Sequence, residues 1–259
     1  MIVYRCEDSP ENLFTAVYRA YEERRNHSET RIALNDDPIL FAEDIPVVTD
    51  EEKYRKVLRT LNAKFGEEDT YSLFEALASE NPEKGQAVYG TIVNGLARKC
   101  PRGHLFDHLT DQNVLLAFEL ARNVGREISH LRGFLRFLET DRGILYAKIG
   151  PKNNIVPFLM SHFADRLPME HFVIHDEKRG LFGIHPAGEK WYLYRAEEGV
   201  EPVLCPAEPE DSYQELFTWF CHKIAIKERE NKKLQTNMLP LRFQHYMTEF
   251  NHGTGHESR

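Results

Sequence analysis

The sequence has little of what usually reveals a protein's chemistry. There are four cysteines in 259 residues, Cys6, Cys100, Cys205 and Cys221, and no two of them form a C-x-x-C pair. This spacing argues against a secreted disulfide framework, and against a zinc ribbon or iron–sulfur centre ligated by this chain alone. The nearest approach to a ligand cluster is Cys100, His104 and His108, where Pro101 and Gly103 interrupt any helix that would align them. Neither of the glycine-rich phosphate loops, G-x-G-x-x-G and the P-loop pattern, is present. No Ser/His/Asp or Cys/His arrangement can be assembled from spacing, and the water-activating and His-Pro-Ser segments of glycosylases are missing. No apolar run is long enough to cross a membrane, and Met1–Cys6 lacks the apolar run of a signal peptide. The expectation is a cytoplasmic protein with no membrane association, no metal ion and no cofactor.

What is present fits a folded globule. Hydrophobic residues make up 41% and charged residues 29% of the chain, and the formal net charge is −8. That charge disfavours binding to nucleic acid over the whole surface, but its distribution is uneven. The segment from Met1 to Arg122 holds 15 Lys and Arg against 22 Asp and Glu. From Cys221 to Arg242, Lys223, Lys227, Arg229, Lys232, Lys233 and Arg242 face only Glu228 and Glu230. A local basic face suits an anionic partner, although a solvated helix face gives the same count.

The element pattern predicts one α+β domain over residues 1–250, with a helical subregion over about 50–128 and a disordered tail at 251–259. Short strands are expected at Ile2–Tyr4 and Arg31–Leu34. Ser9 followed by Pro10 reads as a helix start, with an apolar stripe through Leu13, Phe14, Val17, Tyr18 and Tyr21. Thr49 or Asp50 is expected to cap the next helix, and further helices are predicted at Tyr71–Ala78, Lys84–Lys99 and Asp111–Ile128. Phe134–Phe137 and Ile144–Ile149 read as a hairpin, a helix follows at Ile155–Phe163, and His171–His175 with Gly180–Ile184 forms a second hairpin. Trp191–Tyr194 continues an antiparallel sheet, and a long closing helix starts at Asp211-Ser212. Strands and helices come in runs without regular alternation, which favours α+β over a doubly wound sheet.

Three stretches can carry chemistry. In Ser129–Phe137, an expected strand would put Phe134 and Arg136 on one face, a platform for a base and a phosphate with Arg132 and His130 beside it. The alternative is core packing of the phenylalanines with Arg136 paired to a carboxylate. In His171–Gly180, His175, Asp176 and Arg179 surround a turn. Adjacent strand residues point to opposite faces, so an Asp-capped β-turn competes with a His–Asp acid–base pair. His162 is a further acid–base candidate, or a packing residue. In Ile224–Gln235, the cations Lys227, Arg229 and Lys232 with Asn231 can bind phosphates and base edges, or can pair with the acidic half of the chain.

These stretches carry a resemblance. His130–Phe137, Ala147–Ile149, His162–Arg166, Ile174–Gly180, Ala225–Gln235 and Met238–Arg242 resemble a bacterial domain of unknown function described as a DNA-metabolism or DNA-repair protein. The resemblance covers most of the chain and is strongest from about Val124 to Tyr246. It implies DNA as ligand and, as partner, a radical-SAM protein encoded beside the domain or a uracil-DNA-glycosylase-like module fused to it. The leading expectation is an accessory protein in which Arg132, Arg136, Arg179, Lys223, Lys227, Arg229, Asn231, Lys232 and Arg242 bind nucleic acid while the partner does the chemistry. One alternative is an enzyme on a nucleotide or damaged base, with His130, His162, His175 and Asp176 as acid–base groups. The other is a protein–protein scaffold without affinity for DNA.

Overall fold

A computed structural model describes residues 1–34, 37, 39–195 and 239–247. The chain divides into two compact units, 1–126 and 127–259. Its class is α+β, as the pattern of runs predicts, with seven α-helices among the described residues. The long closing helix, the expected disordered tail, and Lys223, Lys227, Arg229, Asn231 and Lys232 lie outside the described residues.

The first unit is built on a three-stranded parallel sheet. Strand β1 (Ile2–Arg5) lies between β2 (Thr30–Ala33) and β3 (Glu43–Pro46). Helix α1 (Pro10–Glu22) connects β1 to β2. It begins where the sequence indicates, since the Ser9 hydroxyl accepts the Asn12 amide at 3.2 Å and Pro10 occupies the first turn. Its apolar stripe buries Leu13, Phe14 and Val17. Asn12, itself buried, donates to the Val47 carbonyl and the Thr49 hydroxyl, both at 2.9 Å, and so ties the exit of β3 to this helix. The acidic, proline-containing stretch of β3 has no strand signature in sequence. It pairs as an edge, where proline is tolerated.

Helices α2 (Glu51–Lys64), α3 (Glu67–Leu77) and α4 (Lys84–Arg98) complete this unit, with Asp50 capping α2 through the amides of Glu52 and Lys53. Leu61, Phe65, Leu73, Val88, Ile92 and Leu105 form much of its core. A Cβ at Gly95 would collide with Leu105 and crowd Phe65, so only glycine lets α4 pack this closely.

The boundary between the units falls within α5 (Gln112–Phe134). The second unit carries a five-stranded sheet in the order β4 (Leu138–Glu139), β5 (Leu145–Ile149), β6 (Phe172–Asp176), β7 (Leu181–His185) and β8 (Tyr192–Arg195). Every neighbouring pair is antiparallel except β5 and β6, which run parallel because helix α6 (Val156–Arg166) connects them. Gly183 on β7 faces α6, where a Cβ would collide with Met160. A short helix, α7 (Leu241–Gln244), places Phe243 in the interior.

The parallel sheet of the first unit, with its unexpected strand β3, departs from the antiparallel hairpins predicted, and a predicted element of the second unit differs as well. The predicted strand over Phe134–Phe137 begins inside a helix: α5 runs to Phe134, and the Leu135 amide still donates to the Leu131 carbonyl at 2.9 Å. Buried Val124, Ile128, Leu131 and Leu135 recur at three- and four-residue spacing, so the helical stripe outlasts the local strand propensity. The hairpin survives only as the pairs Leu138–Tyr146 and Glu139–Leu145. The proposed common strand face of Phe134 and Arg136 is therefore not formed.

Candidate functional site

The parallel pair determines where polar groups gather. Strands β5 and β6 end on the same sheet edge, so the segment after β5, 150–153, lies beside the turn after β6, 177–180. In open α/β sheets ligands bind outside the carboxyl ends of the strands at a topological switch point, and β5–β6 is the parallel pair of this otherwise antiparallel sheet.

Two carboxylates organise this edge from within. The Asp176 side chain is completely buried; its Oδ2 accepts from Arg179 at 2.8 Å and its Oδ1 accepts the Lys178 amide at 3.1 Å. That is the Asp-capped turn, now with an ion pair inside it. Arg179 also donates to the Pro151 carbonyl at 3.2 Å and to the Lys152 carbonyl. Glu127 on α5 is the second carboxylate. It accepts the Lys152 amide at 2.8 Å, the Asn153 amide at 3.0 Å and the Asn153 side-chain amide at 2.7 Å. Arg242 is a further partner, at 3.2 Å, and its guanidinium lies 4.6 Å from the centroid of the Phe243 ring. Arg179 and Arg242 thus hold the same segment, one through its carbonyls and the other through the carboxylate that binds its amides.

Further out, Glu177 pairs with Lys148 at 2.6 Å and accepts the Tyr246 hydroxyl. The Lys148 hydrogen bond, followed by that of Tyr246, holds the Glu177 carboxyl below the usual carboxylate range. Burial, and then the neighbouring Glu177 carboxylate, pushes the Tyr246 phenol up. Gly150 makes room for this contact, because a Cβ there would occupy the position of the Tyr246 hydroxyl. Lys152 and Lys178 extend from the edge as exposed residues, and the Arg242 side chain retains 47% of its exposure. Asp176 and Glu127 are occupied in holding the edge together, while Lys152, Lys178 and part of Arg242 lie exposed on it.

A family model described as a domain of unknown function (DUF4130) matches residues 82–249, well over half of the chain. The chain belongs to this family. No curated protein and no solved structure matches it. All described elements of the second unit after Glu127 lie within the DUF4130 span, as does the edge just described.

The residues singled out from sequence divide into separate surroundings. Arg179 and Arg242 reach the edge. Arg132 is exposed on α5, and its charge acts on His162. Burial first, then Arg132 and Arg166, lowers the His162 pKa. Arg136 donates to the carbonyls of Gly133 at 2.9 Å and Leu135 at 3.2 Å, where it caps the end of α5. His130 packs between Phe134 and Phe243, with ring centroids 5.9 and 6.0 Å away. His175 lies 2.6 Å from the Tyr146 hydroxyl and stacks on Phe182 at 4.1 Å. Asp176, adjacent in sequence, points to the other face and is committed to Arg179. Among the described residues, no group of three His, Cys, Asp or Glu could hold a metal ion, and no helix is long and apolar enough to cross a membrane.

Sequence reasoning missed Glu127, Lys148, Lys152 and Asn153. A signal existed: strand, polar Gly-Pro-Lys-Asn-Asn segment, helix and strand follow one another between residues 144 and 175. That order marks a parallel crossover whose first loop lies at a carboxyl edge.

Proposed function

We propose that this DUF4130 chain is a cytoplasmic accessory protein of DNA metabolism or repair. It binds nucleic acid through the basic edge of its second unit, and a radical-SAM or uracil-DNA-glycosylase-like partner supplies the bond-breaking step. The observation that carries the reading is the convergence of Arg179 and Arg242 on the segment that presents Lys152. In this reading Lys152 and Arg242 contact phosphates and Arg179 positions the segment. Arg132 adds positive charge from α5. The resemblance to DNA-repair proteins supports DNA as the polyanion.

Electrophoretic mobility of single- and double-stranded DNA across a salt series tests it. Each phosphate contact contributes about 0.7 to 0.9 to the slope of log affinity against log salt. Lys152→Ala and Arg242→Ala are each expected to weaken binding and flatten that slope by about 1. Binding that is absent at low salt, or indifferent to salt, overturns the proposal.

A further inference from the structure

Helix α5 buries one side, where Val124, Ile128 and Leu131 follow one another, and leaves the other side to solvent. On the outer side, Arg122, Arg126, Ser129 and Gly133 recur at four-, three- and four-residue spacing and so form one line. Asn123 and Arg132 flank that line, and all six residues are exposed.

The charge along this line is unbalanced. After Glu119 the only carboxylate in α5 is Glu127, which is buried and accepts the amides of Lys152 and Asn153. Among the described residues Arg122, Arg126 and Arg132 form no ion pair, in a chain of 41 Asp and Glu against 33 Lys and Arg. Arg122 and Arg126 are one turn apart, a like-charge spacing that weakens a helix. Gly133 is a second cost without an internal reason. A Cβ there meets nothing within 4 Å, and its φ is not positive, so neither packing nor a turn requires glycine. At Gly95 and Gly183, by contrast, a Cβ would collide with a side chain.

The composition of the face selects the class of ligand. Between residues 122 and 133 it exposes no apolar side chain, whereas the centre of a protein–protein interface is apolar or aromatic. Interfaces with nucleic acid are more polar and strongly positive. Single strands are held by stacking their bases on aromatic rings, and the exposed residues of this face include none. A duplex needs no such rings. Its major groove, about 12 Å wide, admits a helix about 10–12 Å across, and small residues on the contacting line let the helix backbone approach.

We infer that the outer face of α5 contacts double-stranded nucleic acid, with Arg122, Arg126 and Arg132 on phosphates and Gly133 at the point of closest approach. The inference rests on the nucleic-acid reading above and adds a second contact surface and the form of the ligand.

Fluorescence anisotropy of the full chain across a salt series tests it with a short DNA duplex, one of its strands alone, and polyglutamate. Replacing Arg122, Arg126 and Arg132 by glutamine should flatten the duplex salt slope by about 0.9 for each arginine removed. The slope for the single strand should stay that of the parent. Gly133→Leu, which favours the helix, should keep the parent's melting temperature and weaken duplex binding alone. Glutamine variants with the parent's duplex slope, equal losses on duplex and single strand, or a leucine variant that binds like the parent overturn this inference. None of these results touches the edge, which Lys152→Ala and Arg242→Ala test separately. Polyglutamate that binds as tightly as the duplex assigns the face to an acidic protein and overturns the inference too. A chain that binds neither form of DNA overturns both readings.

Discussion

Asp176 and Arg179 form an ion pair at 2.8 Å in which the carboxylate has no exposed surface and the guanidinium only 16%. A charge buried this deeply is tolerated only with its partners in place, and Arg179 supplies them while also binding two carbonyls of the segment after β5. The pair therefore fixes the relative placement of the two segments that form the basic edge.

Removing one member of such a pair leaves the other buried and uncompensated, at about 3 to 5 kcal/mol. Asp176→Ala is expected to lower the stability of the second unit by about that amount, read as a shift of its urea-unfolding transition in the full chain. Arg179→Lys should be nearly as damaging, because one ammonium cannot reproduce a guanidinium fork directed at a carboxylate and two carbonyls. A lysine variant as stable as the parent would contradict this role.

Glu127 and Arg242 are unequal partners. The glutamate accepts three N–H groups from residues 152 and 153 in addition to Arg242. Glu127→Gln turns one acceptor into a donor that faces other donors, and about 1 to 3 kcal/mol of stability should be lost. Arg242→Ala leaves those three hydrogen bonds, which still satisfy the buried carboxylate, and removes a half-exposed partner, so its cost should be smaller than that of Glu127→Gln. Thermal unfolding of both variants ranks them, and the reverse order would contradict the geometry.

The sign of the pH dependence at Glu177 follows from its lowered pKa. The folded state holds this carboxyl below its ordinary value of 4.5, chiefly through Lys148. Its contribution is therefore present above pH 4.5 and is lost as pH falls through the folded-state value. Lys148→Met should reduce stability at neutral pH, and the difference from the parent should shrink as the solution is acidified below that point. A difference that persists unchanged into strong acid would mean that Lys148 acts through packing.

Burial pushes the Cys6 thiol up to about 12, against a weaker opposing effect of Arg19. Since the thiolate is the reactive form, Cys6 should resist alkylation near pH 8 in the folded chain and react on denaturation. Mass spectrometry of the Cys6 peptide reads this directly, and rapid native labelling would show an open first unit.

Local chemistry was legible in the sequence where one short segment decided the outcome. Ser9-Pro10 started a helix, Asp50, one of the two expected candidates with Thr49, capped the next, and Asp176 closed its turn by accepting the Lys178 amide. What could not be read was decided by residues far apart in the chain. Strand β3 becomes a strand because β1 offers a free parallel edge, not because Glu-Asp-Ile-Pro favours one. Phe134 stays helical because Leu131 and Leu135 continue a buried stripe. Arg136, a candidate phosphate contact in the sequence, donates to two carbonyls at the helix end beside it. Glu127 attracted no attention in a helical run, and its role depends on amides some 25 residues later.

The most direct test of the central claim is the affinity of the full chain for single-stranded DNA, titrated from low to high salt in the parent and in Lys152→Ala with Arg242→Ala. The account predicts tight binding at low salt and a steep negative slope of log affinity against log salt. In the double variant, that slope should be shallower by about 2. Binding with no salt dependence, or a double variant with the parent's slope, would contradict it.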